Sequence, residues 1–324
     1  MLLEGSDKKE FGVADEGEAS NVPAAITDTG CERELNEDRY AVIESQSGLA
    51  WLVCDGMGGA TGGELAAQLA IDAIRRDLEN LPSRPPEVAL RGAILEANRV
   101  IVLRRQNQAF SQMGTTIVGG LFSGSELVIG HVGDSRIYLI RDGAIQQLTT
   151  DHTYVQELVD KGQIKPEEAL SHPQAHILTR AIGSEPGLEV EVQRYWIWET
   201  PPGEAMDYLL LCTDGLYSLV SEGEMANIVS QSTPQRACVK MVETAKSRGG
   251  FDNITLAIIP LNGQLRQEPP AGYEEQAKKQ RLKLAHAGSQ DANKSLARII
   301  LLVVLLSGLS ALVTMLLMAF SMSH

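Results

Sequence analysis

Four acidic positions far apart in the chain each abut the end of a short apolar run, and no other feature narrows the possible folds as much. Glu37 and Asp38 precede a run at 40–44, Asp55 and Gly56 close one at 49–54, Asp214 and Gly215 follow one at 208–212, and Asp252 and Asn253 precede one at 254–259. The runs are short, β-branched or aromatic, and bounded by Asp and Gly, which predicts strands. Strands that neighbour one another in a sheet bring their ends together, so the four positions can converge on one rim. Packed there without cations, the carboxylates would repel strongly. A site of carboxylate, carbonyl and water oxygens suits Mg2+ or Mn2+ rather than zinc, with no need for His or Cys ligands. Gly56 and Gly215 are expected to permit sharp turns that bring backbone close to an ion. A single Asp-Gly pair on its own signals only a turn.

The other segments predict α+β layers. Leu65, Leu69, Ala73, Leu78 and Leu81 recur at helical spacing, and Val88, Ile94, Leu95, Val100 and Ile101 predict a second helix through Arg105. Runs at 116–122, 127–132 and 137–140, separated by Gly-containing turns, predict an antiparallel meander. Residues 151–183 are polar and punctuated by Pro166 and Pro173, and read as an insertion over the sheet. Strands are expected again at 188–196, 208–212 and 254–259, and helices at 222–230 and 234–246.

Charge divides the 324-residue chain into a body and a basic approach to its C-terminus. The formal net charge of -14 argues against nucleic acid as a partner, since neutralising phosphates needs surplus Lys and Arg on the contacting face. Cys31, Cys54, Cys212 and Cys238 lack C-x-x-C spacing, which fits a reduced chain without a zinc ribbon. Between 266 and 298, seven basic side chains face four acidic ones, a net of +3 that leaves -17 upstream. Residues 299–320 then run for 22 positions without a charge, roughly 33 Å as a helix and long enough to span a bilayer. The basic flank predicts a single-pass anchor in the cytoplasmic membrane with the body facing the cytoplasm. The expected organisation is an acidic flexible leader at 1–21, a catalytic domain at 22–262, a basic juxtamembrane linker at 263–298, the transmembrane helix at 299–320 and a short extracytoplasmic tail at 321–324.

Seven motifs occur in one order: Arg33-Glu34-Leu35-Asn36-Glu37-Asp38, Asp55-Gly56-Met57-Gly58-Gly59, Met113-Gly114-Thr115-Thr116, Gly133-Asp134-Ser135-Arg136, Ser171-His172-Pro173-Gln174, Cys212-Thr213-Asp214-Gly215 and Asp252-Asn253-Ile254-Thr255. In these the chain resembles the bacterial metal-dependent Ser/Thr protein phosphatases of the 2C type, over about residues 22–262. The resemblance implies a four-layer α-β-β-α sandwich of two antiparallel sheets with a flap at 151–183. It also implies a two-metal centre of Mn2+ or Mg2+. There Asp55 would bridge both ions, Asp214 and Asp252 would complete one site, Glu37 and the Gly56 carbonyl would serve the other, and Asp38 would hold a water. Two such cations lower the pKa of a shared water for in-line attack on phosphorus. Arg33 would bind the substrate phosphate with its planar fork. A third ion would use Asp134 together with Asp214, near His176 where some relatives place a serine. Met57 and Ala60 stand where some relatives have histidine, so no general acid is carried over. Tyr154, Leu158 and Ile164 are expected to pack the flap, and Cys54 and Cys212 to act as small hydrophobes.

These readings imply an enzyme that hydrolyses phosphoserine and phosphothreonine on phosphoproteins at the membrane, opposing a Ser/Thr protein kinase. Two alternatives stand beside it: a narrow phosphatase of an anti-sigma-type regulator, and a catalytically weak phosphoprotein-binding scaffold.

Overall fold

Most apolar runs of the sequence form strands covered on both faces, while the run at 40–44 leaves Tyr40 and Val42 exposed. This is seen in a computed structural model that describes residues 22–58, 62–200 and 206–269. In chain order the strands are β1 (Ala24–Asp28), β2 (Arg39–Ser45), β3 (Gly48–Cys54), β4 (Gly56–Met57), β5 (Gly114–Thr115), β6 (Ile117–Ser123), β7 (Glu126–Val132), β8 (Arg136–Arg141), β9 (Ala144–Gln147), β10 (Glu191–Trp198), β11 (Tyr208–Cys212), β12 (Ile254–Pro260) and β13 (Gln264–Arg266). The helices are α1 (Gly62–Asn80), α2 (Pro86–Arg104), α3 (Tyr154–Asp160), α4 (Pro166–Ala169), α5 (Asp214–Tyr217), α6 (Glu222–Ser230) and α7 (Pro234–Ser247). One sheet has the order β1-β12-β11-β8-β9, the other β13-β10-β7-β6-β3-β2, and β4 pairs with β5 in a small third sheet. The named strand pairs are all antiparallel.

Alternation along β11 shows how the layers are made. Leu209 and Leu211 point between the sheets, where they meet Val53, Val118, Ile129 and Ala257. Leu210 and Cys212 point the other way, under Met225, Cys238 and Met241 of α6 and α7. Because both faces are buried, the strand reads as a continuous apolar run rather than an alternating one. On the far side, α1 and α2 cover Ile43, Leu52 and Leu121 of the six-stranded sheet. The result is the α-β-β-α order implied by the resemblance.

The structure moves several boundaries and faces. Residues 116–140 are not one meander: β6 and β7 form a hairpin, but the chain then leaves for the other sheet, where β8 pairs with β9 and β11. Period alone cannot tell a hairpin continuation from a crossing between sheets. On α1 the buried face is Ala66, Ala67, Ala70, Ile71, Ala73, Ile74 and Leu78, which includes the expected Ala73 and Leu78, while Leu65 and Leu69 are only partly buried and Leu81 is exposed. Small residues let the helix approach its sheet and its neighbour closely, and a pattern weighted to large side chains overlooks them. Val88 and Leu95 of α2 are likewise exposed, and Ala89, Leu90, Ala93, Ala97 and the expected Ile94 and Ile101 face the core. In the insertion, Tyr154 is exposed and Val155 is the buried anchor.

The fold also runs past residue 262, so the linker does not begin at 263. β13 pairs with the end of β10 and buries Leu265. Arg141 closes on the wholly buried Asp207 with two bonds of 2.7 and 2.6 Å. Leu265 N–H donates to Asp207 Oδ2 at 2.6 Å, and the Leu265 carbonyl accepts from Arg141 Nη2 at 2.8 Å. Among the described residues no helix is long and apolar enough to cross a membrane. The leader at 1–21, the rest of the linker from 270 to 298, the apolar run at 299–320 and the tail at 321–324 lie outside the described residues.

A chain ending at residue 262 loses the burial of Leu265 and leaves Asp207 short of a donor, whereas one ending at Glu268 keeps both. Chemical denaturation of the two is expected to show the shorter chain less stable by about 2–4 kcal/mol.

Candidate active site

Backbone contacts that tolerate no side chain bring the acidic positions together. Gly56 has no left-handed backbone; instead it lies so close to two other strands of chain that a Cβ would stand 2.1 Å from the Gly63 carbonyl oxygen and 2.7 Å from that of Glu37. Gly215 is the same case, with a Cβ at 2.0 Å from the Asn253 carbonyl oxygen. Close approach of chain to chain, rather than turn geometry, is what these glycines supply. At the start of α1, a Cβ on Gly63 would fall 2.5 Å from Glu37 Oε1, so the Glu37 carboxylate packs directly on that helix.

Neutral side chains then hold the acidic backbone segments. Asn253 Oδ1 accepts from Glu37 N–H at 2.8 Å, and its Nδ2 donates to the carbonyls of Thr29 and Leu35 at 2.9 and 3.0 Å. Asp55 N–H donates to Thr116 Oγ1 at 3.0 Å, and the Asp55 carbonyl accepts from Thr115 Oγ1 at 2.8 Å. Thr213 Oγ1 donates to Asp38 Oδ2 at 2.8 Å. Sequence reasoning gave none of these residues a role, although Thr116, Thr213 and Asn253 all lie inside its motifs. They carry no charge, and only the fold shows what they hold.

The result is one cleft of about 740 Å³ whose lining includes Arg33, Glu37, Asp55, Gly56, Asp134, Asp214 and Asp252. Asp38 is the one expected site residue outside that lining: it is buried, bound to Thr213. Arg33 sits at the rim, half exposed, with Nη2 2.8 Å from Asp252 Oδ2. His176 comes from the insertion, its Nδ1 3.4 Å from Asp214 Oδ2, and Arg180 lines the cleft on that same side. Arg180 lies in no motif singled out in the sequence, and its place in the cleft follows from where the insertion rejoins the fold. Ala60 lies outside the described residues.

Electrostatics show that this cluster is incomplete as protein alone. Burial raises the pKa of Asp55 well above the carboxylate range, and the charges of Asp38, Asp214, Asp134 and Asp252 raise it further. Burial likewise pushes Asp38 up to about 7 against the lowering effect of its threonine hydrogen bonds. Asp134 is pushed up to about 8 by burial and then by Asp214 and Asp151. Asp252 is raised chiefly by burial and by Asp214, despite its bond to Arg33. Among the described residues, neither Glu37 Oε1 nor Asp214 Oδ1 has a hydrogen-bond donor, although both atoms are buried. Buried carboxylate oxygens without donors are costly unless a cation meets them. The donor set is entirely oxygen, which fits hard divalent ions such as Mg2+ or Mn2+. Cys54 and Cys212 are fully buried and burial raises both thiols, so they are packing residues and not thiolates.

A frame of two antiparallel sheets under helices, with a ring of carboxylates at one end, defines a metal-dependent hydrolase. Comparison with known proteins makes the class specific. The profile of the protein phosphatase 2C family matches residues 30–245. The serine/threonine phosphatase stp of Listeria welshimeri is 38% identical over 244 residues, covering 73% of this chain and 94% of that protein. The crystal structure of the Mycobacterium tuberculosis serine/threonine phosphatase PstP/Ppp superposes with a TM-score of 0.65 at 36% identity, covering 74% of this chain and 98% of that one. A catalytic domain of PstP in complex with two manganese ions superposes with a TM-score of 0.63 at 33% identity, covering 73% and 96%. The chain belongs to the protein phosphatase 2C family, and it is a protein phosphatase.

The raised carboxyl groups set a pH dependence. Native carboxyls that hold protons to higher pH than unfolded ones stabilise the metal-free fold at low pH, and that contribution is lost as pH rises through the native values. For Asp38 and Asp134 the loss extends to about 7 and about 8. Thermal melts in EDTA are therefore expected to fall between pH 6 and 8, and the gain in Tm on adding Mn2+ to be larger at pH 8 than at pH 6.

Proposed function

We propose that this protein is a membrane-tethered, Mn2+- or Mg2+-dependent phosphatase that removes phosphate from phosphoserine and phosphothreonine in proteins. The observation that carries the reading is the convergence of Glu37, Asp55, Asp214 and Asp252 on one cleft, two of them with orphaned buried oxygens, beneath an arginine at the rim. Asp55 would bridge two ions, Asp214 and Asp252 would hold the first, and Glu37 with the Gly56 carbonyl the second. Asp134 with Asp214 would hold a third. When bound, such ions supply an activated water for in-line displacement and offset the charge of the phosphate.

The chain's own residues do the rest. Arg33 spends one donor on Asp252, which aims the guanidinium while leaving its planar fork for two phosphate oxygens. Asp38, with Oδ2 fixed by Thr213, would help hold the water that bound ions activate. Nothing in the cleft requires a protein nucleophile. The acidic body suits protein substrates over nucleic acid. The uncharged run at 299–320 behind a basic segment supports a cytoplasm-facing anchor, which would raise the effective concentration of substrates phosphorylated by a membrane Ser/Thr kinase.

The deciding assay is hydrolysis of a phosphothreonine peptide by the full chain. Turnover is expected with Mn2+ or Mg2+ and not with EDTA, and Asp214→Asn is expected to lower kcat by about 10²–10³. Arg33→Ala is expected to raise KM about tenfold with a smaller effect on kcat. For the anchor, the full chain is expected to sediment with membranes and resist alkaline extraction, whereas a chain ending at Glu268 stays in the supernatant. A full chain that stays soluble would remove the tether and leave the phosphatase.

A further inference from the structure

A second group of titratable side chains sits where the flap leaves and rejoins the fold: His131 on β7, His152 and Arg180 at the flap's two ends, and Glu191 on β10. The ligand atoms of His131, His152 and Glu191 lie within 4.8 Å of one another, close enough to suggest a cation. The hydrogen bonds argue otherwise. His152 Nδ1 accepts from Gly133 N–H at 3.1 Å, so the neutral ring carries its proton on Nε2 and donates it to Glu191 Oε1 at 3.0 Å, with Arg180 Nη1, itself a donor, 3.3 Å from the same nitrogen. His131 Nε2 donates to the Thr150 carbonyl at 2.9 Å. Both ring nitrogens of His152 and Nε2 of His131 are thereby engaged within the protein. Arg180 Nη1 donates to the same Glu191 oxygen at 3.0 Å, which places a permanent cation beside the trio. The two imidazoles stack at 4.6 Å with 15° between their planes, and burial favours the neutral form of both.

What the cluster joins is more telling than what it could bind. The backbone N–H of His152 donates to the Gly133 carbonyl at 2.9 Å, and its carbonyl accepts from Thr179 N–H at 2.8 Å. Gly133 precedes Asp134 in a turn with φ of +104°, where a Cβ would strike Thr116 Cγ2 at 2.6 Å. Thr179 precedes Arg180, whose side chain lines the cleft that also holds Asp134. One residue thus ties the acidic turn to the return of the flap.

We infer that His152 is a positioning residue of the phosphatase centre that acts through two separable bonds. Nδ1 fixes the turn that presents Asp134 to the cleft. Nε2 fixes Glu191, and through it the Arg180 guanidinium on the flap side, where it meets polypeptide flanking the phosphorylated residue. The inference rests on the phosphatase reading above, and the two arms are told apart by two substitutions. Asparagine places an amide oxygen where Nδ1 stood, and glutamine an amide nitrogen where Nε2 stood.

The experiment compares full-length His152→Asn, His152→Gln, Glu191→Ala and wild type. It reads amide hydrogen exchange at Gly133, Mn2+ binding by calorimetry, and KM and kcat for a phosphothreonine peptide and for p-nitrophenyl phosphate. His152→Gln is expected to speed Gly133 exchange and weaken Mn2+ binding by about tenfold, the scale of one hydrogen bond, with the peptide KM unchanged. His152→Asn is expected to keep Gly133 protected and raise the peptide KM by about five- to tenfold, with kcat and the p-nitrophenyl phosphate KM unchanged. Glu191→Ala, which leaves His152 in place, is expected to reproduce the asparagine result. Equal effects of both histidine variants on every readout, or equal losses on peptide and p-nitrophenyl phosphate, would overturn the inference in favour of a plain structural brace. A bound Mn2+ lost in Glu191→Ala would overturn it in favour of a metal site. If Asp134→Asn binds as many Mn2+ ions as wild type, the metal role of Asp134 fails by itself, and Gly133 exchange with the peptide KM still decides the role of His152. If wild type hydrolyses neither substrate, the phosphatase reading fails, and Gly133 exchange in the two histidine variants alone decides the positioning.

Discussion

Repulsion among carboxylates buried at one end of the sandwich is the constraint on which the other features of this protein depend. Burial raises the proton affinity of Asp38, Asp55, Asp134 and Asp252, and the charges of neighbouring carboxylates raise it further. A flexible frame would relieve that repulsion by moving the groups apart. This one cannot, because each carboxylate sits at the end of a strand or on a turn packed between two sheets, and the sheets are pinned by a core of interdigitated side chains. The cost of holding the acids together is met by packing elsewhere, which leaves the cluster poised for divalent cations.

Rigidity at the site is built from neutral groups. Asn253, Thr116 and Thr213 hold backbone or carboxylate without adding charge. Gly56, Gly63 and Gly215 let chains approach to distances no side chain would allow. The flap is made differently, from short helices with many exposed side chains, and it is secured at its ends: Thr153 bridges Leu178, and Thr115 bridges Ile182. The flap thus has an exposed middle between bonded ends, so its centre can open more readily than its edges.

Much of the fold was legible in the amino-acid order. Strands at 208–212 and 254–259 and the helix at 222–230 fall within a residue or so of where periodicity and punctuation put them. The acidic residues were legible too, because an Asp or Glu at the end of an apolar run has few structural reasons to be there. β9 and β13 were missed: each is only three or four residues long and lies at a sheet edge, where one face suffices and the apolar signal is weak. The meander was misread because adjacent strands in sequence pair so often that a crossing between sheets leaves no local mark. The inward faces of α1 and α2 were placed only in part, right at Ala73, Leu78, Ile94 and Ile101, because most alanines carry little hydrophobic weight in a pattern but pack closest in a core.

By itself, then, the sequence determined the kinds of element, the oxygen-only chemistry of the site, the family motifs and the uncharged run near the C-terminus, since each depends on residue type and local spacing. Only the tertiary structure decided which strands share a sheet, that Gly56 and Gly215 serve close approach rather than turns, and that Asp38 lies beneath the cleft. It also decided that Arg180 lines the cleft beside Glu191 and His152. These depend on contacts between residues tens to hundreds of positions apart, whose geometry is fixed when the layers pack and has no counterpart in local order.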